Sequence, residues 1–399
     1  MPGPLEGIKV VELGFWVAGP SAAAILGDWG ADVIKIEPPT GDPFRGLFAS
    51  LSLLPPGANP PFELDNRGKR SVALNLETEE GRRIARTLLE GADVFVTNVR
   101  PRVLAAFGLT YEELAALNPG LVYCQVTGYG PDGEERDRAA YDVGAFWSRA
   151  GVAASLTAAG HALPQQRGGM GDHMAGQAAA GAVCAALLAR TRTGTGQRVA
   201  VSLLRIGVYM LGWDTNLALR GLPIQPYDRF HAPNPIINSF QAGDGRWFWL
   251  LLLQGDRHWP DLCRALGRED LREDPRFASL AARREHAAAL VAELDRVFAT
   301  KPLAAWGEVF DRENVWWAPV QTVNEVVGDP VAQAAGAFVE VPGPEGPVRM
   351  VASPADFSGT PWQPRGPAPE FGQHTEEVLL ELGYDWEGIA RLKEQGVIP

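Results

Sequence analysis

The chain has 399 residues, 46% of them apolar and 21% charged, a balance that suits a folded protein with a sizeable core and excludes a disordered or collagen-like chain. That length exceeds what one core usually serves, so two or three domains are expected, two being the working number. A formal net charge of −12 argues against a general affinity for nucleic acid or anionic lipid, and an anionic ligand would need a local basic patch.

The first residues, MPGPLEGIKVVEL, carry no basic leader followed by an apolar core and cleavage site, so a cytoplasmic location is expected. IKVVEL (8–13) reads as a strand, GFWVAGP as a loop, SAAAILGDWG as a helix and ADVIKIE as a second strand, a βαβ unit that implies parallel strands. SVALNL (71–76), the helical ETEEGRRIARTLLEGA and DVFVTN (93–98) repeat the pattern. TYEELAALNP adds a short helix with Thr110 at its cap and Glu113 three residues on, and LVYCQVTGYG another strand. This alternation predicts an α/β fold with an open, doubly wound parallel sheet.

A long helix is expected after Gly171, ending at the glycines of TRTGTGQ before the strand RVAVSLL. Its weakly polar run, MAGQAAAGAVCAALLA (174–189), falls short of the roughly 20 strongly apolar residues of a membrane span and reads as a buried helix. The large domain is placed at 1–220. GLPIQPYDRFHAPNPIINSFQAGDGRW then reads as a linker with a hairpin turn at GDG (243–245), before the strand-like WFWLLLL and several helical patterns. These make a smaller α+β domain at 221–330, and the segment 331–399 closes with the amphipathic HTEEVLLELGY and DWEGIARLKEQ.

Several chemistries lack their motifs. The first βα turn has no GxGxxG, so Glu37 at the end of the second strand is a weak mimic of a ribose-binding acid, and no GxxxxGK[ST] occurs. Six isolated histidines without HExxH spacing and three dispersed cysteines, Cys124, Cys184 and Cys263, predict no metal site. There is no GxSxG elbow, and each histidine reads as structural. Arg45, Arg67, Lys69, Arg70, Arg100 and Arg102 gather near strand ends, as a solvated face or as a seat for a phosphate-bearing ligand. Trp247, Trp249, Trp259, Trp316 and Trp317 of the smaller domain suit core packing or a bulky acid near a cleft.

The stretch GGMGDHMAG (168–176) packs four glycines around Asp172. Such glycines serve positive φ or close approach, and here suggest a ligand or intermediate against the main chain. Asp172 is either a helix cap or a reactive acid; a helix N-terminus is expected to keep it ionised, as a nucleophile requires.

PLEGIKVVELG…VAGPSAAAILGDWGADVIKIEPPTGDPFR, NRGKRSVALNL, GDHMAGQAAAGAVCAALLARTRTGTGQ and HTEEVLLELG together resemble the family III CoA-transferases, the CaiB/BaiF family, from about residue 4 to about 385. The resemblance implies a large Rossmann-like domain built from both chain ends, a smaller middle domain, and two protomers interlocked as a homodimer. It implies Asp172 as the covalent nucleophile of CoA transfer from an acyl-CoA to a carboxylic acid. No tightly bound cofactor is implied; coenzyme A and acyl-CoA are substrates. The family's CoA site falls on Val17, Ala18, Leu74, Asn75, Leu76, Asn98, Val99, Arg100, Tyr141 and Asp142. The chain departs from the formyl-CoA branch, which has Gln at the position of Val17, Arg at that of Pro38 and, in many members, Arg at that of Ala106. In the branch that racemises 2-methylacyl-CoA a His stands where this chain has Tyr141, and a phenol with an ordinary pKa of about 10 is a poor base at neutral pH. Transfer is therefore expected over racemisation, with a non-catalytic CoA-binding protein as the remaining alternative.

Overall fold

The computed structural model describes residues 3–55, 58–158, 160–224, 228–343 and 346–399. The chain divides into two compact units, one made of Met1–Ala154, Gln165–Leu222 and Ala334–Pro399, the other of Ser155–Pro164 and Pro223–Gln333.

The larger unit is built on β1 (Lys9–Leu13), β2 (Asp32–Glu37), β3 (Arg70–Ala73), β4 (Val94–Thr97), β5 (Val122–Thr127) and β6 (Arg198–Ser202). They form a six-stranded sheet in the order β3-β2-β1-β4-β5-β6, every pairing parallel. Strands covered on both faces read as unbroken apolar runs, and the two-residue period divides them between two cores. Val10, Val33, Val94 and Val122 face one core with the helices Ala18–Asp28 and Met170–Thr193. Val11, Ile34, Phe95 and Tyr123 face the other, with the helix Glu79–Glu90 and the two C-terminal helices Thr375–Glu381 and Trp386–Glu394. Strand order reverses between β1 and β4, so their following loops part and leave a crevice at the carboxyl ends. The last residues close this unit: Val397 and Ile398 are buried, and the Val397 carbonyl accepts the Asn75 N–H.

Thr110 and Glu113 form the expected reciprocal cap. The helix Met170–Thr193 is not buried all round. It buries a stripe of Ala175, Ala179, Ala180, Val183 and Leu187, while Leu188 is 61% exposed. Small residues let it lie close to the helix Ala18–Asp28; a Cβ on Gly176 would overlap the Ser21 hydroxyl. Among the described residues no helix is long and apolar enough to cross a membrane.

The smaller unit has an antiparallel sheet of β7 (Ile237–Gln241), β8 (Trp247–Leu251) and β9 (Trp317–Pro319), with the GDG turn joining the first two. Phe240, Phe248, Trp259, Phe298, Trp306 and Phe310 fill its core. Core packing thus accounts for Trp259, while Trp247 and Trp316 stay 40% and 51% exposed.

Candidate functional site

Most of the basic residues near the strand ends are already paired with acidic side chains of the protein itself. Arg67 lies buried against Asp28 through two hydrogen bonds, of 3.0 and 2.6 Å, and Lys69 is buried against Glu12 at 2.6 Å. Arg45 pairs with Glu37 at 2.6 Å, and Arg70 with Asp32 and Glu381. Neither a solvated face nor a phosphate seat describes these four, because acidic partners 8 to 311 residues away in the sequence already neutralise them. Glu37 is likewise taken: burial would raise its pKa, but Arg45, Lys35 and Ser71 outweigh that and hold it below the usual range. Arg100 is different. It is exposed just after β4, and among the described residues its guanidinium has no ion-pair partner.

The loop after β1 is held by the loop after β4. Asn98 Oδ1 accepts the Phe15 N–H at 2.9 Å and its Nδ2 donates to the Phe15 carbonyl at 2.7 Å. Gly14 and Gly19 leave room for that side chain, a Cβ on either falling 3.2 Å from it. Trp16 then takes φ of +65°, a costly value for a bulky residue, with its N–H on Asp42. Asn98→Ala should cost about 1–3 kcal/mol by orphaning both Phe15 groups, read as a lower denaturation midpoint; an unchanged midpoint would mean the loop is held otherwise.

Val17 and Ala18 follow, buried, Val17 at the start of the first helix. Its Cγ1 lies 3.8 Å from where a Cβ of Gly169 would stand, so the first loop adjoins the start of the helix Met170–Thr193. Leu74, Leu76 and Val99 are buried; the Asn75 side chain donates to the Gly396 carbonyl. Tyr141 is 61% exposed and meets Trp16 edge to face, centroids 5.7 Å apart.

Asp172 is not the helix cap. Gly169, at φ +77°, holds that position, and Asp172 lies within the first turn. Asp142 stands beside this helix start: its buried carboxylate accepts from Gln166 Nε2 at 2.9 Å, and burial raises its pKa against the pull of the Val143, Gly171 and Gly169 amides. Among the described residues the Asp172 carboxylate has no hydrogen bond or ion pair of its own. The expectation that the helix end keeps it ionised is overturned. Burial first, then the charges of Asp142 and Asp65, push its pKa up to about 7 against the pull of His173. The glycines also prove more structural than expected: a Cβ on Gly171 would fall 2.5 Å from the Phe146 ring, a packing contact.

The sequence reading missed Asp65 and the setting of His173. Asp65, on the helix Pro60–Asn66, is buried, and its Oδ1 lies 3.0 Å from His173 Nε2. No local pattern announces a pair 108 residues apart. Among the described residues no group of acidic, His and Cys side chains could hold a metal.

A partly buried carboxylate with no partner among the described residues, next to an imidazole in the chain and near the first loop of a strand-order reversal, can act as a nucleophile. Residues 5–375 match the model of CoA-transferase family III. The chain is similar to the (R)-2-hydroxy-4-methylpentanoate CoA-transferase of Clostridioides difficile, 35% identical over 99% of both chains. It is also similar to the cinnamoyl-CoA:phenyllactate CoA-transferase of Clostridium sporogenes, 33% identical over 98% of this chain and 96% of that one. A solved CaiB/BaiF family protein from Brucella suis superposes with a TM-score of 0.82 at 32% identity, covering 96% of this chain and all of that one.

Proposed function

We propose a covalent route for a chain that belongs to CoA-transferase family III: coenzyme A passes from an acyl-CoA to a free carboxylic acid by way of Asp172. The observation that carries this reading is the Asp172 carboxylate, in the first turn of the helix Met170–Thr193 and without a hydrogen bond or ion pair of its own among the described residues. An Asp172 oxygen attacks the thioester carbonyl, the C–S bond breaks, and a mixed anhydride and CoA thiolate result. The thiolate attacks the Asp172 carbonyl carbon, expelling the first acid and leaving an aspartyl-CoA thioester. The acceptor carboxylate attacks that carbon and frees the thiolate, which finally takes the acceptor acyl group and releases Asp172. Each step exchanges one anion for another, so no proton is transferred, and the site must supply an ionised carboxylate and donors for the passing charge.

Coenzyme A is assigned to the loops after β1, β3 and β4, at Val17, Ala18, Leu74, Asn75, Leu76, Asn98, Val99 and Arg100, together with Tyr141 and Asp142. Support comes from their place at the carboxyl ends of the strands and from Arg100, exposed and without an ion-pair partner among the described residues. The carboxylate of Asp142 is engaged by Gln166, so its part is to hold that segment beside the ligand. Arg100→Ala should weaken CoA binding about 10-fold or more, as expected for a lost charge-assisted bond. Unchanged affinity by calorimetry would place the nucleotide elsewhere.

We assign the active form to a homodimer in the cytoplasm. The half-buried Trp16, with the exposed Tyr141 edge-on to it beside the site, favours an acid with apolar bulk, in keeping with the branched and aromatic substrates in the names of the two relatives. Incubating the protein with pairs of acyl-CoA and free acid, and following CoA exchange by mass spectrometry, tests the function. Exchange with branched or aromatic pairs supports it. Deuterium uptake at the α-carbon without any acceptor would point to racemisation, and CoA binding without turnover to a non-catalytic protein.

A further inference from the structure

We infer that His173, gripped by Asp65, is the cation that accompanies Asp172 through the transfer, a positioning residue for the nucleophile. The inference rests on the reading of Asp172 as nucleophile and adds the group that makes it usable.

Three observations converge. First, the imidazole is anchored on a rigid base. Its Nε2 lies 3.0 Å from Asp65 Oδ1, and the Asp65 backbone is pinned by Lys69, which donates to the Asp65 carbonyl at 2.6 Å and to Glu12 at 2.6 Å. Second, the ring lies over the helix cap: a Cβ on Gly169 would fall 3.2 Å from its Cε1 and 3.3 Å from its Nδ1. That nitrogen has no partner among the described residues, and the side chain is 46% exposed. Third, the charges around it are lopsided: Asp65 meets it from the helix Pro60–Asn66, with Lys69 and Glu12 behind Asp65, and the charges of Asp172 and Asp142 act on it in the same sense as that of Asp65.

A buried carboxylate against an imidazole favours the charged pair. Burial lowers the His173 pKa, but the hydrogen bond with Asp65 and the charges of Asp65, Asp172 and Asp142 prevail and raise it. Of the charged neighbours that act on Asp172, Asp142 and Asp65 oppose its ionisation and His173 favours it. Because the transfer passes negative charge between carboxylate and thiolate without a proton, one fixed cation serves every step.

The ionisation of residue 172 can be read without substrate, by ¹³C NMR titration of protein labelled at aspartate carboxyls, with Asp172→Asn to assign the signal. In His173→Gln the midpoint should rise by about one unit or more, and the acid limb of the CoA-exchange rate should move with it, slowing exchange about 5-fold or more at pH 7. His173→Lys, which keeps a cation, should restore both; it also serves if the Gln variant does not fold. An unmoved midpoint in His173→Gln, or an equal rise in His173→Lys, overturns the inference. Full exchange by Asp172→Asn would instead overturn the covalent reading, so the two failures are told apart.

Discussion

Asp172→Asn is expected to abolish CoA exchange, by roughly 10⁴-fold or more, the scale seen when a covalent nucleophile is removed, while CoA binding persists. The same variant should be more stable than the wild type. The folded pKa of about 7 lies above the ordinary 3.8, so between these values the folded state holds a proton that the unfolded chain has lost. Stability from this group is therefore given up as pH rises from about 4 to about 7, reaching at most about 4 kcal/mol, after which the deficit is constant. The gain of the Asn variant should be small at pH 4 and largest above pH 7, read as denaturation midpoints across that range. For the wild type, activity should rise through pH 7 as the nucleophile ionises. A gain that is the same at pH 4 and pH 8 would mean Asp172 is not held out of its ordinary ionisation.

The largest effect on stability is expected from Glu12→Gln. Glu12 is fully buried in β1 and shares its carboxylate between Lys35 Nζ at 2.8 Å and Lys69 Nζ at 2.6 Å. Lys35 also meets Asp42 at 3.0 Å, which helps to hold its proton firmly. Lys69 is more exposed to the loss: burial, aided by repulsion from Lys35, already lowers its pKa to about 8 despite Glu12. Removing the shared anion leaves buried ammonium charge uncompensated, a cost of about 3–5 kcal/mol. Above pH 8 Lys69 is neutral in the folded state, so its share of the deficit should shrink between pH 7 and pH 9. Because Lys69 also pins Asp65, the variant should bind CoA and exchange it less well than its folded fraction accounts for. An unchanged midpoint in chemical denaturation would show that the network contributes no stability.

The parts of the fold that are legible in the sequence are those with a short period. IKVVEL, ADVIKIE and DVFVTN announce buried parallel strands because both faces are covered, and Thr110 with Glu113 announces a helix start within four residues. The helix Pro60–Asn66 goes unread, since two prolines open it and it is too short for a clear apolar face. The site is legible only in part. Asp172 stands out through its glycines, yet two of these answer to packing, Gly171 against Phe146 and Gly176 against Ser21. Arg67 meeting Asp28 and His173 meeting Asp65 are long-range pairings. Charge alone marks such residues as solvated or ligand-binding; only the fold shows which are already matched.

The central claim is that substrate becomes bonded to one carboxylate. Rapid quenching of the protein with an acyl-CoA that supports exchange, followed by peptide mass mapping, should find an acyl or CoA adduct on the peptide carrying Asp172 and none in Asp172→Asn. Turnover with no adduct on that peptide, under quench times shorter than a catalytic cycle, would contradict the account.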